Sequence, residues 1–165
     1  MMDLHDIIAG SARTLPFRRE LNTERLSFPG VLSYTAPVIG EGVVRNDGGA
    51  LSLRGHIRAE MLCRCDRCAA EFLRDKDVEL DVALATELED EENPDFFLLE
   101  GEKLDLDELL ESCFILEMDS TFLCRPDCRG LCDRCGANLN LGKCSCTRER
   151  DPRLAVLEQL LDDKE

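Results

Sequence analysis

Nine of the ten cysteines in this 165-residue chain fall into short clusters, and those clusters carry its chemistry. Cys63-Arg-Cys65-Asp-Arg-Cys68 comes first, and Cys124-x3-Cys128, Cys132-x2-Cys135 and Cys144-Ser-Cys146 follow within 23 residues. A Cys-x2-Cys turn brings two sulfurs to the same side at the separation a tetrahedral zinc ion needs. Gly136, directly after Cys135, lets that turn close and leaves backbone N–H groups free to face sulfur. Residues 124–146 contain few large apolar side chains, so hydrophobic burial alone cannot fold them. Disulfides are disfavoured, because the N-terminus shows neither a basic region nor a long apolar region of a secretion signal, and a reducing cytoplasmic location is expected. Thioredoxin-like chemistry would need a βαβ context that the sequence does not display. The expected cofactor is zinc, as two ions each held by four thiolates.

Setting aside Cys63 and Cys113 leaves eight ligands, and two divisions of them are open. In the preferred one, Cys132, Cys135, Cys144 and Cys146 close a local site, and Cys65 and Cys68 join Cys124 and Cys128 across more than 50 positions. In the other, Cys124, Cys128, Cys132 and Cys135 group together and leave the first cluster short of a ligand. Cys63 has the inward parity of its strand and is expected to be buried, with an alternative role as ligand. Cys113 lies on the apolar face of a helix and reads as a small buried hydrophobe.

Charge narrows the functional classes. Asp plus Glu number 35 against 20 Lys plus Arg, a net charge of −15, which excludes a uniformly basic nucleic-acid clamp. One Tyr, no Trp and seven Phe offer little surface for stacking bases. Residues 75–120 hold 18 acidic and two basic side chains, and 87–95 reads as a solvated acidic loop or a docking site for a basic partner. The cysteine-rich region is the local exception, and Arg125, Arg129, Arg134 and Lys143 are its candidate binding residues. Two zinc tetrathiolate sites would add about −4 there, so direct RNA contact and a protein-binding adaptor both stay open. The only histidines are His5 and His56, there is no phosphate-binding Gly loop, and no acid/base pair has catalytic spacing. No catalytic residue is therefore assigned, and an enzyme is not expected.

The positioning elements follow from periodicity. A short helix is expected near residues 3–9. Val31–Val44 suggests one or two strands, with Pro37 confining part of it to an edge. Asn46-Asp-Gly-Gly49 signals a hairpin. Leu51, Leu53, Ile57, Ala59 and Met61 alternate with polar residues, as do Val78, Leu80, Val82 and Leu84, so both runs are strands with one wet face. Leu106, Leu109, Leu110, Cys113 and Phe114 share one helical face, with Asp105 as N-cap and Glu108 as its N3 partner. Asp151-Pro152 opens a last helix, striped by Leu154, Leu157, Leu160 and Leu161. Strands preceding helices imply an α+β fold: an antiparallel sheet packed on an amphipathic helix, then a zinc-ribbon-like module and a C-terminal helix. The expected units are residues 1–123, including the acidic loop, and residues 124–165.

Together, Cys65-Asp-Arg-Cys68, the acidic linker, the amphipathic helix, Cys124-x3-Cys128-Arg-Gly-Leu-Cys132-x2-Cys135-Gly-Ala-Asn-Leu-Asn140 and Asp151-Pro-Arg-Leu-Ala155 resemble the YceD-type family, described as large ribosomal RNA subunit accumulation proteins of bacteria and plastids. The resemblance runs from about Leu51 to Leu161. The chain departs from the family pattern at Ala69-Ala70-Glu71-Phe72, where Leu and Pro-Phe are usual, and at Leu116–Leu123, where a Leu-Pro-Met-Lys-Pro-like approach is usual. The resemblance implies a non-catalytic role in accumulation of 23S ribosomal RNA, with ribosomal RNA or large-subunit assembly or processing proteins as partners and no membrane. The ten cysteines support one other reading, a thiol redox or zinc-sensing regulator.

Overall fold

The computed structural model describes residues 1–86 and 96–146. The expected acidic loop at 87–95 and the C-terminal helix lie outside the described residues. Alternating side chains build the centre of the fold: β4 (Ile39–Asp47), β5 (Ala50–Arg64) and β6 (Glu71–Ala85) form a continuous antiparallel meander. Gly48 and Gly49, at φ +68° and +103°, close the β4–β5 turn, a conformation that L side chains rarely adopt. On β5, Leu53, Ile57, Ala59, Met61 and Cys63 are buried, whereas Arg54, Arg58, Glu60 and Arg64 face water. The wet face is a lattice of opposed charges, with Arg58 2.9 Å from Glu41, Arg18 3.1 Å from the same carboxylate, and Arg54 3.1 Å from Asp81.

Two strands flank the meander on the β5 side opposite β6. β2 (Thr14–Glu20) pairs with β4, and β3 (Val31–Tyr34) pairs with the far half of β5. Pro37 separates β3 from β4, so the Val31–Val44 run is two strands. β2 shows no clear alternation, because Arg18, Arg19 and Glu20 mask the buried Phe17. The expectation of a wholly antiparallel sheet needs correction at one edge. β7 (Phe96–Leu98) runs parallel to β6, with Leu84 opposite Phe97. Three residues are too few to show a period, and parallel pairing has no tight-turn signal. A separate pair joins β1 (Met2–Asp3) to β8 (Lys103–Leu104), and α1 (His5–Ile8) follows β1.

Helix α2 (Leu106–Leu116) begins where the sequence indicates, with the Asp105 carboxylate accepting the Glu108 N–H at 3.1 Å. Leu106, Leu109, Leu110 and Phe114 are buried in the same core as β4, β5 and β6, and Cys113 packs against it. Gly40 makes the close approach possible: a Cβ there would lie 2.7 Å from Leu110 Cδ1. Glu111 is also buried on α2 and meets Arg25 at 3.1 Å. No helix of the described residues is long and apolar enough to cross a membrane.

Gly40→Val is expected to destabilise the protein by about 1–3 kcal/mol through overpacking against Leu110. Urea unfolding measures this, and an unchanged midpoint would show that α2 does not rest on Gly40.

Candidate metal centre

Each Cys-x2-Cys turn is built by the same backbone bonds. In the first, between β5 and β6, the Ala69 N–H donates to Cys65 O and the Cys65 N–H to Ala70 O, both at 2.8 Å. In the second, the Gly136 N–H donates to Cys132 O at 2.9 Å and the Cys132 N–H to Ala137 O at 2.8 Å. The residue after the second cysteine has positive φ in both turns, +57° at Ala69 and +70° at Gly136. Glycine meets that requirement without cost, and Ala69 meets it under strain. The four-residue word Cys-Asp-Arg-Cys occurs at both places, a repeat that was available in the sequence as a sign of equivalent turns.

The described residues hold two groups of four sulfurs, each within 4.8 Å of one another: Cys65, Cys68, Cys124 and Cys128, and Cys132, Cys135, Cys144 and Cys146. Cys65 and Cys128 Sγ are 3.8 Å apart, and Cys68 and Cys124 Sγ are 3.7 Å apart. Four sulfurs at the usual zinc–thiolate bond length of about 2.3 Å define a tetrahedron with edges of ~3.8 Å, so the first group has the dimensions of a tetrahedral metal site. The grouping of Cys124, Cys128, Cys132 and Cys135 is not the one the structure brings together. Cys63 is fully buried in the sheet core and belongs to neither group.

The two groups differ in surroundings. In the first, Cys65, Cys68 and Cys128 are buried, with Phe72 and Leu123 packed against them. Asp66 binds the incoming segment in both directions, accepting the Phe122 N–H at 2.7 Å and donating its own N–H to Phe122 O at 2.8 Å. Arg67 Nη1 donates to Cys128 O at 2.9 Å. Asn140 accepts the Arg129 N–H at 2.8 Å and directs its Nδ2 at Cys128 Sγ, 3.3 Å away. Asp66, Arg67 and Asn140 were not singled out from the sequence, because single polar residues beside cysteines carry no distinctive spacing. In the second group, Cys135 and Cys146 are exposed. Arg125, Arg129, Arg134 and Lys143 all lie on the surface around these turns, and Arg125 is 3.5 Å from Asp127.

The electrostatics separate the thiols. Burial pushes Cys65 up, but the N–H groups of Cys124, Cys68 and Arg67 directed at its sulfur outweigh this and hold it at about 6. The N–H groups of Cys135 and Arg134 lower Cys132 to about 7. The Asn140 amide lowers Cys128. Burial raises Cys124 to about 12, and a hydrogen bond between the Cys146 and Cys135 side chains raises Cys146 to about 12. Each group thus stabilises part of its negative charge with backbone dipoles and needs a cation before all four sulfurs can ionise. The residues present fit a metal ion held by four thiolates.

Fold and site together define a sheet-based α+β protein carrying two four-cysteine clusters able to hold metal. The family model for large ribosomal RNA subunit accumulation protein YceD matches residues 53–161, and the chain belongs to that family. It is 34% identical over 70 residues to the "Large ribosomal RNA subunit accumulation protein YCED homolog 1, chloroplastic" of Arabidopsis thaliana. That alignment covers 40% of this chain and 22% of the plant protein, so the chain matches about a fifth of its relative's length. No solved structure matches the chain.

Two predictions follow from this geometry. Cys135→Ser should cost one metal equivalent and leave the sheet intact, whereas Cys65→Ser should also release a chain cross-link worth roughly 4 kcal/mol. Metal stoichiometry and thermal unfolding read the difference, and a Cys65→Ser protein with full metal and the original midpoint would rule out the long-range site. Ala69→Gly, relieving the positive φ, should raise stability by about 1 kcal/mol in urea unfolding.

Proposed function

We propose that this protein is a non-catalytic, cytoplasmic factor in large-subunit ribosome biogenesis that supports accumulation of 23S ribosomal RNA. The family match over residues 53–161 carries the reading. Its proposed cofactor is zinc, two ions each held by four thiolates: Cys65, Cys68, Cys124 and Cys128 for one, and Cys132, Cys135, Cys144 and Cys146 for the other. Zinc suits an all-thiolate tetrahedral site and brings no redox chemistry of its own, which fits a structural role. In this reading residues 1–123 form the sheet domain and residues 124–165 the cysteine-rich module with a C-terminal helix. The factor acts as an adaptor for ribosomal RNA or for large-subunit assembly or processing proteins. The exposed Arg125, Arg129, Arg134 and Lys143 support a contact surface on the cysteine-rich module, where the arginines can reach phosphate or carboxylate oxygens.

Deletion of the gene should lower mature large-subunit ribosomal RNA relative to small-subunit RNA. The ratio of the two RNAs during fast and slow growth measures this, and an unchanged ratio in both would remove the ribosomal reading.

A further inference from the structure

Among the described residues, most of the outer edge of β6 is unpaired. β5 pairs along its whole length, from Leu51 opposite Leu84 to Arg64 opposite Glu71, with no shift in register. β7 takes up only Ala83–Ala85 on the other side. Among the described residues, no backbone group bonds to the outer edge of β6 between Glu71 and Val82. Every second residue of an edge strand directs its N–H and C=O away from the sheet, so this stretch presents a ready row of donors and acceptors. It contains no proline and no bulge, the features that usually blunt such an edge, whereas the opposite edge strand β2 carries Pro16.

The side chains beside this edge specify what can pair with it. Asp75, Asp77, Glu79 and Asp81 all project to the wet face of β6, and Leu73, 71% exposed, precedes them in the same row. Asp77 is engaged by His56 and Arg58, and Asp81 by Arg54. Asp75 and Glu79 have no ion-pair partner among the described residues. A second copy of this strand would set acidic row beside acidic row, which is destabilising. RNA phosphate is repelled for the same reason. We propose that the open edge of β6 is a docking site for an extended, Lys- or Arg-bearing segment of a partner protein, which adds as a further strand and sets basic side chains beside Asp75 and Glu79. Main-chain hydrogen bonds supply affinity in this mode and the alternate side chains supply specificity. The inference goes beyond the ribosomal reading and does not rest on it, since neither metal nor RNA enters it.

A synthetic nine-residue peptide tests it, with leucine at each end, lysine at the third, fifth and seventh positions and threonine between. The full-length protein should bind this peptide, and amides on alternate residues between 71 and 82 should gain protection from hydrogen exchange. Methylating the peptide nitrogens of one alternate set should weaken binding about tenfold or more, because the bonds facing β6 are lost, while methylating the other set leaves it unchanged. The exposed double variant Asp75→Asn, Glu79→Gln should also bind about tenfold more weakly. Equal binding of the two methylated peptides would reduce the contact to charge attraction and overturn strand addition. Absence of binding by the unmethylated peptide, or protection elsewhere than β6, would overturn the site.

Discussion

The meeting of four sulfurs at the end of the β5–β6 hairpin is the constraint on which the rest depends. Cys65 and Cys128 are 63 positions apart in sequence and 3.8 Å apart at sulfur, and Cys68 and Cys124 are 56 positions and 3.7 Å apart. Everything between them, from β6 through β7 and β8 to α2, is closed into one loop by this contact. Such closure acts mainly on the unfolded chain, whose freedom it removes. The local hydrogen bonds show that the folded state is already arranged for it. Asp66 holds Phe122, Arg67 holds Cys128, and a Cβ on Gly30 would overlap the Phe122 ring. The hairpin end and the segment leaving α2 therefore fit each other before any ion is considered.

That segment is also where charge is used with most economy. Asp119 lies 2.7 Å from Arg74 and 3.3 Å from Lys76, two cations on the inner side of β6 where Val78 and Leu80 are buried further along. The carboxylate fills the place that an apolar residue would take and brings the chain from α2 across the sheet toward the cysteines. Its side chain and that of Lys76 are 29% and 17% exposed, so the pair is screened less by solvent than the lattice on the outer face. The Leu116–Leu123 stretch is thus positioned by the contacts of Asp119 with Arg74 and Lys76.

The two sulfur groups share a turn geometry but not a structural role. The first joins distant elements and is mostly buried, and the second closes within 15 residues and leaves Cys135 and Cys146 exposed. Asn140 links them, because it follows the second Cys-x2-Cys turn yet donates to Cys128 in the first group. Gly130 seats the same connection: at φ +75° it passes so close to Arg67 that a Cβ would lie 2.9 Å from the Arg67 carbonyl oxygen. The second turn is therefore oriented by the first.

Much of this was legible in the sequence because it depends on local periodicity or local chemistry. The alternation on β5 and β6, the Asp105 cap of α2, the Asn46–Gly49 turn and the Cys-x2-Cys spacing all arise from interactions within a few residues. The burial of Cys63 followed from strand parity in the same way. The pairing of Cys65 and Cys68 with Cys124 and Cys128 stood as one of two divisions, since spacing alone is compatible with both. Only the tertiary structure brought those four sulfurs together, because the decision depends on where α2 delivers the chain relative to the β5–β6 turn. β7 beside β6, Asp119 between Arg74 and Lys76, and Asn140 against Cys128 belong to the same kind. Each is a contact across 12 or more positions of the chain, chosen by packing and charge, and none leaves a period in the sequence.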